Sequence, residues 1–226
     1  MKSSQLKATA YHEAGHAVAA WRLGIALGRK GVTIVPDEAA GTGGSSAHRG
    51  IIDPSIEYDT SDRNRIRAEK TVQSFLAGEV AQRRYNPRSV RNHHGYFDRH
   101  EAINTLSYFT NEEEELRAWL KLLRIRAECM FRNPDVWRAV ERLGAALMER
   151  RTIGGKEATE IIHDGFKEAL YKQHPEMRSQ DLAMRAQFKA SAQALARLTP
   201  DQRRAHKLAL AARLRSRKVG LKRSAQ

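Results

Sequence analysis

His12, Glu13 and His16 are the residues of this chain whose types and spacing could do chemistry, in the run Tyr11-His12-Glu13-Ala14-Gly15-His16. In a helix, positions i and i+4 lie one turn apart on the same face. Two imidazoles so spaced can reach one ion at about 2.0–2.1 Å from each ring nitrogen. Glu13 is rotated from His12 by about 100° around the helix. That sets its carboxylate beside the ion, where it can take a proton from water. Zinc suits these ligands and lowers the pKa of bound water to about 7, so the implied chemistry is hydrolysis with Glu13 as general base. Gly15 points the same way. A glycine inside a helix costs about 1 kcal/mol, which is understandable where another backbone or the metal site must come close.

A catalytic zinc site takes a third protein ligand and keeps a fourth position open. The HExxHxxGxxH continuation is absent, because Ala19 and Arg22 stand where Gly and His would be required. The third ligand must come from elsewhere, and His93, His94, Asp98, His100 and Glu101 form the candidate cluster. Spacing does not choose among them, since Asp98 and Glu101 share a helix face. Cys129 is the sole cysteine. A Cys-based zinc site and an intrachain disulfide are therefore excluded, which fits a reducing cytoplasm.

These residues need a scaffold, and the pattern predicts a helical one. Ser3 or Ser4 can cap a first helix that stops at Gly24. Gly31 to Pro36 predicts a short β-branched strand, followed by a flexible loop from Asp37 to Gly50. A second helix runs from Ser61 to Asn86-Pro87, with Val72, Phe75, Leu76 and Val80 at helical spacing. A third, shorter one spans Asp98 to Tyr108. Asn111 with Glu114 predicts a capping box for the fourth, and Asn133-Pro134 an N-cap and first-turn proline for the fifth. Gly154-Gly155 precedes a sixth, which ends by His174-Pro175. Two more are expected over Ser179 to Leu198 and Thr199 to Lys218, the latter opened by Thr199-Pro200-Asp201-Gln202. Trp21, Trp119 and Trp137 sit among apolar residues and predict core anchors.

The formal net charge of +14 is localised. Residues 176–226 hold thirteen Lys/Arg against three Asp/Glu, so ten of those charges belong to the C-terminal fifth. The expected organisation is a zinc peptidase domain over residues 1–175 and a basic helical extension over 176–226. Such an extension fits a nucleic acid or another acidic partner. Phe188 is its single aromatic residue, so a base-stacking platform is not expected. No apolar run approaches the roughly 20 residues of a membrane span, and the N-terminal stretch lacks a secretory pattern. A soluble, cytoplasmic protein is expected.

The ordered motifs resemble the peptidase domain of the FtsH family of zinc metalloproteases. Ala10-Tyr11-His12-Glu13-Ala14-Gly15-His16-Ala17 is similar to that family's active-site helix, and Arg29-Lys30-Gly31-Val32-Thr33-Ile34-Val35-Pro36 to its edge strand. Leu76-Ala77-Gly78-Glu79-Val80-Ala81 resembles its Gly-Gly-Arg-Ala-Ala-Glu helix. Asp98 with Ala102 resembles the segment bearing the third ligand. Leu147-Met148-Glu149-Arg150-Arg151-Thr152-Ile153 with Glu157 is similar to a late Leu-Leu-Glu-x-x-Thr-Leu stretch. The resemblance covers roughly Leu6 to Ile162, about 70% of the chain. It implies a zinc metalloendopeptidase, with Asp98 completing a His12-His16-Asp98 metal site. It also implies that Val32 to Val35 is a strand edge on which an extended polypeptide substrate lies.

The chain departs from that family in three ways. One residue fewer separates Gly95 from Asp98, and Gln82 stands where the family has glutamate. No GxxxxGK[ST] phosphate loop occurs. The expectation is thus a peptidase without its own ATPase domain or membrane anchor, which cuts unfolded chains or works with a separate unfoldase. The rival expectation is a regulatory or nucleic-acid-associated binding protein that keeps the peptidase fold without proteolysis.

Overall fold

The computed structural model describes residues 3–36, 44–48, 59–90, 95–202, 204, 205 and 208. The chain forms two compact units, Met1–Gln173 and His174–Gln226. The protein is mainly helical with one small sheet, as the patterning predicts.

Helix α1 (Ser3–Arg22) is buried continuously from Glu13 to Ala20. Its small residues allow this: Ala10, Ala14, Ala17, Val18 and Ala19 all lie in the main core. It packs on α2 (Asp62–Tyr85) so closely that a methyl at Gly15 would stand 2.5 Å from the Ala81 Cβ and 2.9 Å from the Ala77 carbonyl. Helix–helix backbone approach, then, is what requires the glycine. On its other side α1 meets α5 (Pro134–Arg150) and α6 (Gly155–Gln173), with Val136, Val140, Leu143, Leu147, Ile162 and Phe131 filling the core. Asn133 caps α5 as expected, its side-chain oxygen accepting from the N–H groups of Asp135 at 2.8 Å and Val136 at 3.3 Å.

A second apolar cluster joins α2, α3 (Tyr96–Leu106) and α4 (Glu113–Arg132) through Val72, Leu76, Ala102, Leu106 and Leu123. Helix α3 begins two residues earlier than predicted, because Gly95 takes φ +70° and turns the chain directly into it. The predicted Asn111 capping box is not used. Thr110 makes the turn into α4 instead, accepting from the Glu112 N–H at 3.2 Å and donating to the Glu115 carboxylate. Trp21 and Trp137 are partly buried against the main core and Trp119 against the second cluster.

The sheet corrects the sequence expectation most. Strand β1 spans Leu27–Thr33, starting earlier than Gly31 and ending before Pro36. It is the central strand of the order β2-β1-β3, with β2 at Ser45–His48 and β3 at Thr152–Ile153. Both pairings are antiparallel. Val32 lies opposite Ser46 on one side and Ile153 on the other; Thr33 lies opposite Ser45 and Thr152. The backbone groups expected to form a free edge at Val32 and Thr33 are therefore already paired. Segments distant in sequence pair on both sides of the strand, and local pattern cannot reveal that.

In the second unit, α7 (Pro175–Ala196) starts at Pro175 rather than Ser179, since proline at the first helical position has no N–H to leave unpaired. Met177, Leu182, Met184, Phe188 and Leu195 are exposed along it. Thr199 and Gln202 form a reciprocal cap, as the start signal predicts. The expected last helix is helical at residues 200–202, 204, 205 and 208; its remainder to Lys218, and eight of the thirteen basic residues of the extension, lie outside the described residues. Among the described residues, no helix is long and apolar enough to cross a membrane.

Candidate metal centre

His12 and His16 project from α1 toward Gly78 of α2. A methyl at position 78 would lie 2.2 Å from His16 Nε2 and 2.8 Å from His12 Nε2, so the rings occupy the space that any side chain there would need. Asp98, in the first turn of α3, brings its carboxylate to the same point. The two Nε2 atoms are 3.0 Å apart, and Asp98 Oδ2 is 3.2 Å from His12 Nε2 and 3.3 Å from His16 Nε2. In a tetrahedral site with bonds of about 2.0–2.1 Å, ligand atoms stand about 3.3–3.4 Å apart. The observed triangle is nearly that of three ligands on one such ion.

The tautomers support the same reading. Gln82 donates its amide N–H to the Ser89 carbonyl at 3.1 Å, which turns its amide oxygen toward His12. That oxygen accepts from His12 Nδ1 at 3.1 Å. His16 Nδ1 donates to the Ser74 carbonyl at 2.8 Å. With both Nδ1 atoms committed as donors, each neutral ring offers an Nε2 lone pair, and Asp98 adds a third acceptor. Three converging acceptors call for a cation or a proton between them. Burial disfavours a charged His16 ring, but the adjacent Asp98 carboxylate outweighs it and lifts the pKa to about 9. Burial also acts against an ionised Asp98, yet His16 and His12 hold its carboxyl far below the usual range. The donor set, spacing and charge fit a divalent metal.

Glu13 is buried, 6% exposed, and has no hydrogen-bond partner among the described residues. Burial pushes its pKa up, His12 and His16 pull it back, and Asp98 raises it again. Its carboxyl lies beside Gly44, the residue before β2, where a methyl would be 3.0 Å from Glu13 Oε1. Burial outweighs the two imidazoles, so the carboxylate is more basic than one in water.

Among the described residues, His12, His16 and Asp98 form a group whose ligand atoms lie within 4.8 Å of one another. Two other candidates do not join it. His100 Nδ1 accepts from the Asn104 amide at 3.0 Å, and Glu101 Oε1 lies 3.8 Å from His100 Nδ1. His93 and His94 fall outside the described residues. The contributions of Ser74 and Ser89 had no sequence signal, whereas a glycine at 78 within an apolar helical run was a visible one.

Fold and centre together define a mainly helical protein with a His-His-Asp group that could hold a metal ion. No protein-family model matches the chain, and no curated protein matches it.

Proposed function

We propose that the protein is a zinc-dependent metalloendopeptidase that hydrolyses peptide bonds in extended or unfolded polypeptides, similar to the peptidase domain of the FtsH family. The observation that carries this reading is the convergence of three acceptor atoms, with tautomers set by Gln82 and Ser74, beside the buried Glu13. His12, His16 and Asp98 would hold the ion. When bound, zinc supplies Lewis acidity toward water and a peptide carbonyl. Glu13 takes the proton released as water attacks and passes it to the departing peptide nitrogen. A base matched to that task has a raised pKa, which burial provides.

Substrate placement follows from the sheet. Strand β2 pairs with β1 on one side, and Gly44, the residue before it, lies against Glu13. An extended peptide aligned on the outer edge of β2 would bring its carbonyl groups past Glu13 in a fixed register.

The test is digestion of casein, with and without a chelator, beside Glu13→Gln. Wild type should carry about one zinc per chain and cut casein in a chelator-sensitive way. Glu13→Gln should keep its zinc and lose about 10²–10⁴-fold in rate, the usual worth of a general base. Equal activity in the two proteins would reject the mechanism.

A further inference from the structure

We propose that Glu79 is a positioning residue, which holds Asp98 at the metal centre by tying the first turn of α3 to α2. The inference rests on the metal reading above. Helix α3 is anchored at its far end by Ala102 and Leu106 in the second apolar cluster. Among the described residues its first turn, which carries Asp98, has no such anchor: Tyr96 and Phe97 are 69% and 65% exposed. Glu79 reaches this turn from α2. Its carboxylate, on a residue only 8% exposed, takes a hydrogen bond from Arg83 Nη2 at 2.8 Å. It also lies 3.8 Å from Arg99 Nη2 of α3 and 3.6 Å from Arg124 Nη2 of α4.

Glu79 and Asp98 flank the same backbone point. A methyl at Gly95 would be 3.4 Å from Glu79 Oε2 and 3.9 Å from Asp98 Oδ2. The Gly95 carbonyl in turn accepts the Arg99 N–H at 2.9 Å, closing the turn around Asp98. Meanwhile Gly78, adjacent to Glu79 in sequence, sets the imidazoles against α2. One turn of α2 therefore seats the two histidines by lacking a side chain and holds the carboxylate ligand's helix by carrying a charged one. A buried carboxylate among three guanidiniums is costly to move, which makes it a rigid reference for α3.

The experiment is cobalt titration of the folded protein, reading affinity and the visible absorption that reports coordination. Glu79→Gln and Arg99→Gln are compared with Glu69→Gln as control. Glu69 also lies on α2, ten residues or about 15 Å along it from Glu79, and pairs with Arg126 at 2.9 Å and Trp119 at 3.2 Å, both on α4, so its loss perturbs α2 and α4 far from the turn that carries Asp98. We expect Glu79→Gln and Arg99→Gln to bind cobalt about 10–100-fold more weakly with diminished absorption, the loss typical of a supporting contact. Glu69→Gln should keep the wild-type spectrum even if it melts earlier. Arg99→Gln leaves the buried carboxylate with Arg83 and Arg124, so it tests the link even if Glu79→Gln fails to fold. Unchanged affinity and spectrum in Arg99→Gln, or equal losses in Glu69→Gln, would overturn the inference while the metal reading stands. A wild type that binds no cobalt would overturn both.

Discussion

The amide oxygen of Gln82 accepts a hydrogen bond from Nδ1 of His12, and Ser89 dictates that orientation by accepting from the amide nitrogen. Position 82 therefore needs an acceptor on one side and a donor on the other, which an amide supplies and a carboxylate does not. Replacing Gln82 by Met keeps the volume and removes both bonds. Metal affinity should fall about 10–100-fold, as for other contacts that orient a ligand. Competition with a chromophoric chelator measures this, and wild-type affinity in Gln82→Met would show that the bond does not orient His12.

Gly78→Ala should be more damaging than its size suggests. The added methyl would meet His16 Nε2 at 2.2 Å and His12 Nε2 at 2.8 Å, so either the rings leave or α1 separates from α2. We expect metal binding to be lost and stability to fall by about 1–3 kcal/mol, the cost of overpacking. Metal analysis together with chemical denaturation would check both. A Gly78→Ala protein with full zinc content would contradict the geometry.

Asp98→Ala should release metal far more readily than Glu101→Ala. Asp98 Oδ2 lies 3.2 and 3.3 Å from the two Nε2 atoms, whereas Glu101 reaches His100 at 3.8 Å. Dialysis against weak chelator followed by metal analysis distinguishes them. Retention in Asp98→Ala with loss in Glu101→Ala would reassign the third ligand.

The stabilisation given by zinc should grow with pH. In the metal-free protein the His16 pKa, at about 9, is above its unfolded value of about 6.5. Its contribution is fully present below pH 6.5 and is lost as pH rises through 9. The Asp98 pKa is lowered, so its contribution is present above about pH 4 and is lost in acid. Bound metal replaces the His16 proton and is favoured once that proton leaves. Between pH 6.5 and 9 the gap between zinc-saturated and chelated protein should widen by an amount on the order of 1–3 kcal/mol. Melting curves at pH 6.5, 7.5 and 8.5 test this; a gap that stays constant or narrows would rule it out.

Local features were legible in the chain itself. The i, i+4 spacing that puts His12 and His16 on one face is a property of any helix, and so is the placing of Glu13 beside them. Asn133-Pro134 capped the helix it marks, because cap and proline act on their nearest neighbours. What only the tertiary structure decided involves residues distant in sequence. Asp98 reaches the histidines because α3 packs on α2, with Ala102 and Leu106 in one apolar cluster with Val72, Leu76 and Leu123. Spacing alone had left Asp98 among five candidates. Strand β1 is central because Ser45–His48 and Thr152–Ile153 pair on its two sides, an arrangement invisible in the pattern Val32-Thr33-Ile34-Val35. The Gln82–Ser89 bond chooses the His12 tautomer, and no spacing rule encodes it. Helices and caps follow from interactions a few residues apart; metal ligands and sheet edges follow from which surfaces the folded chain brings together.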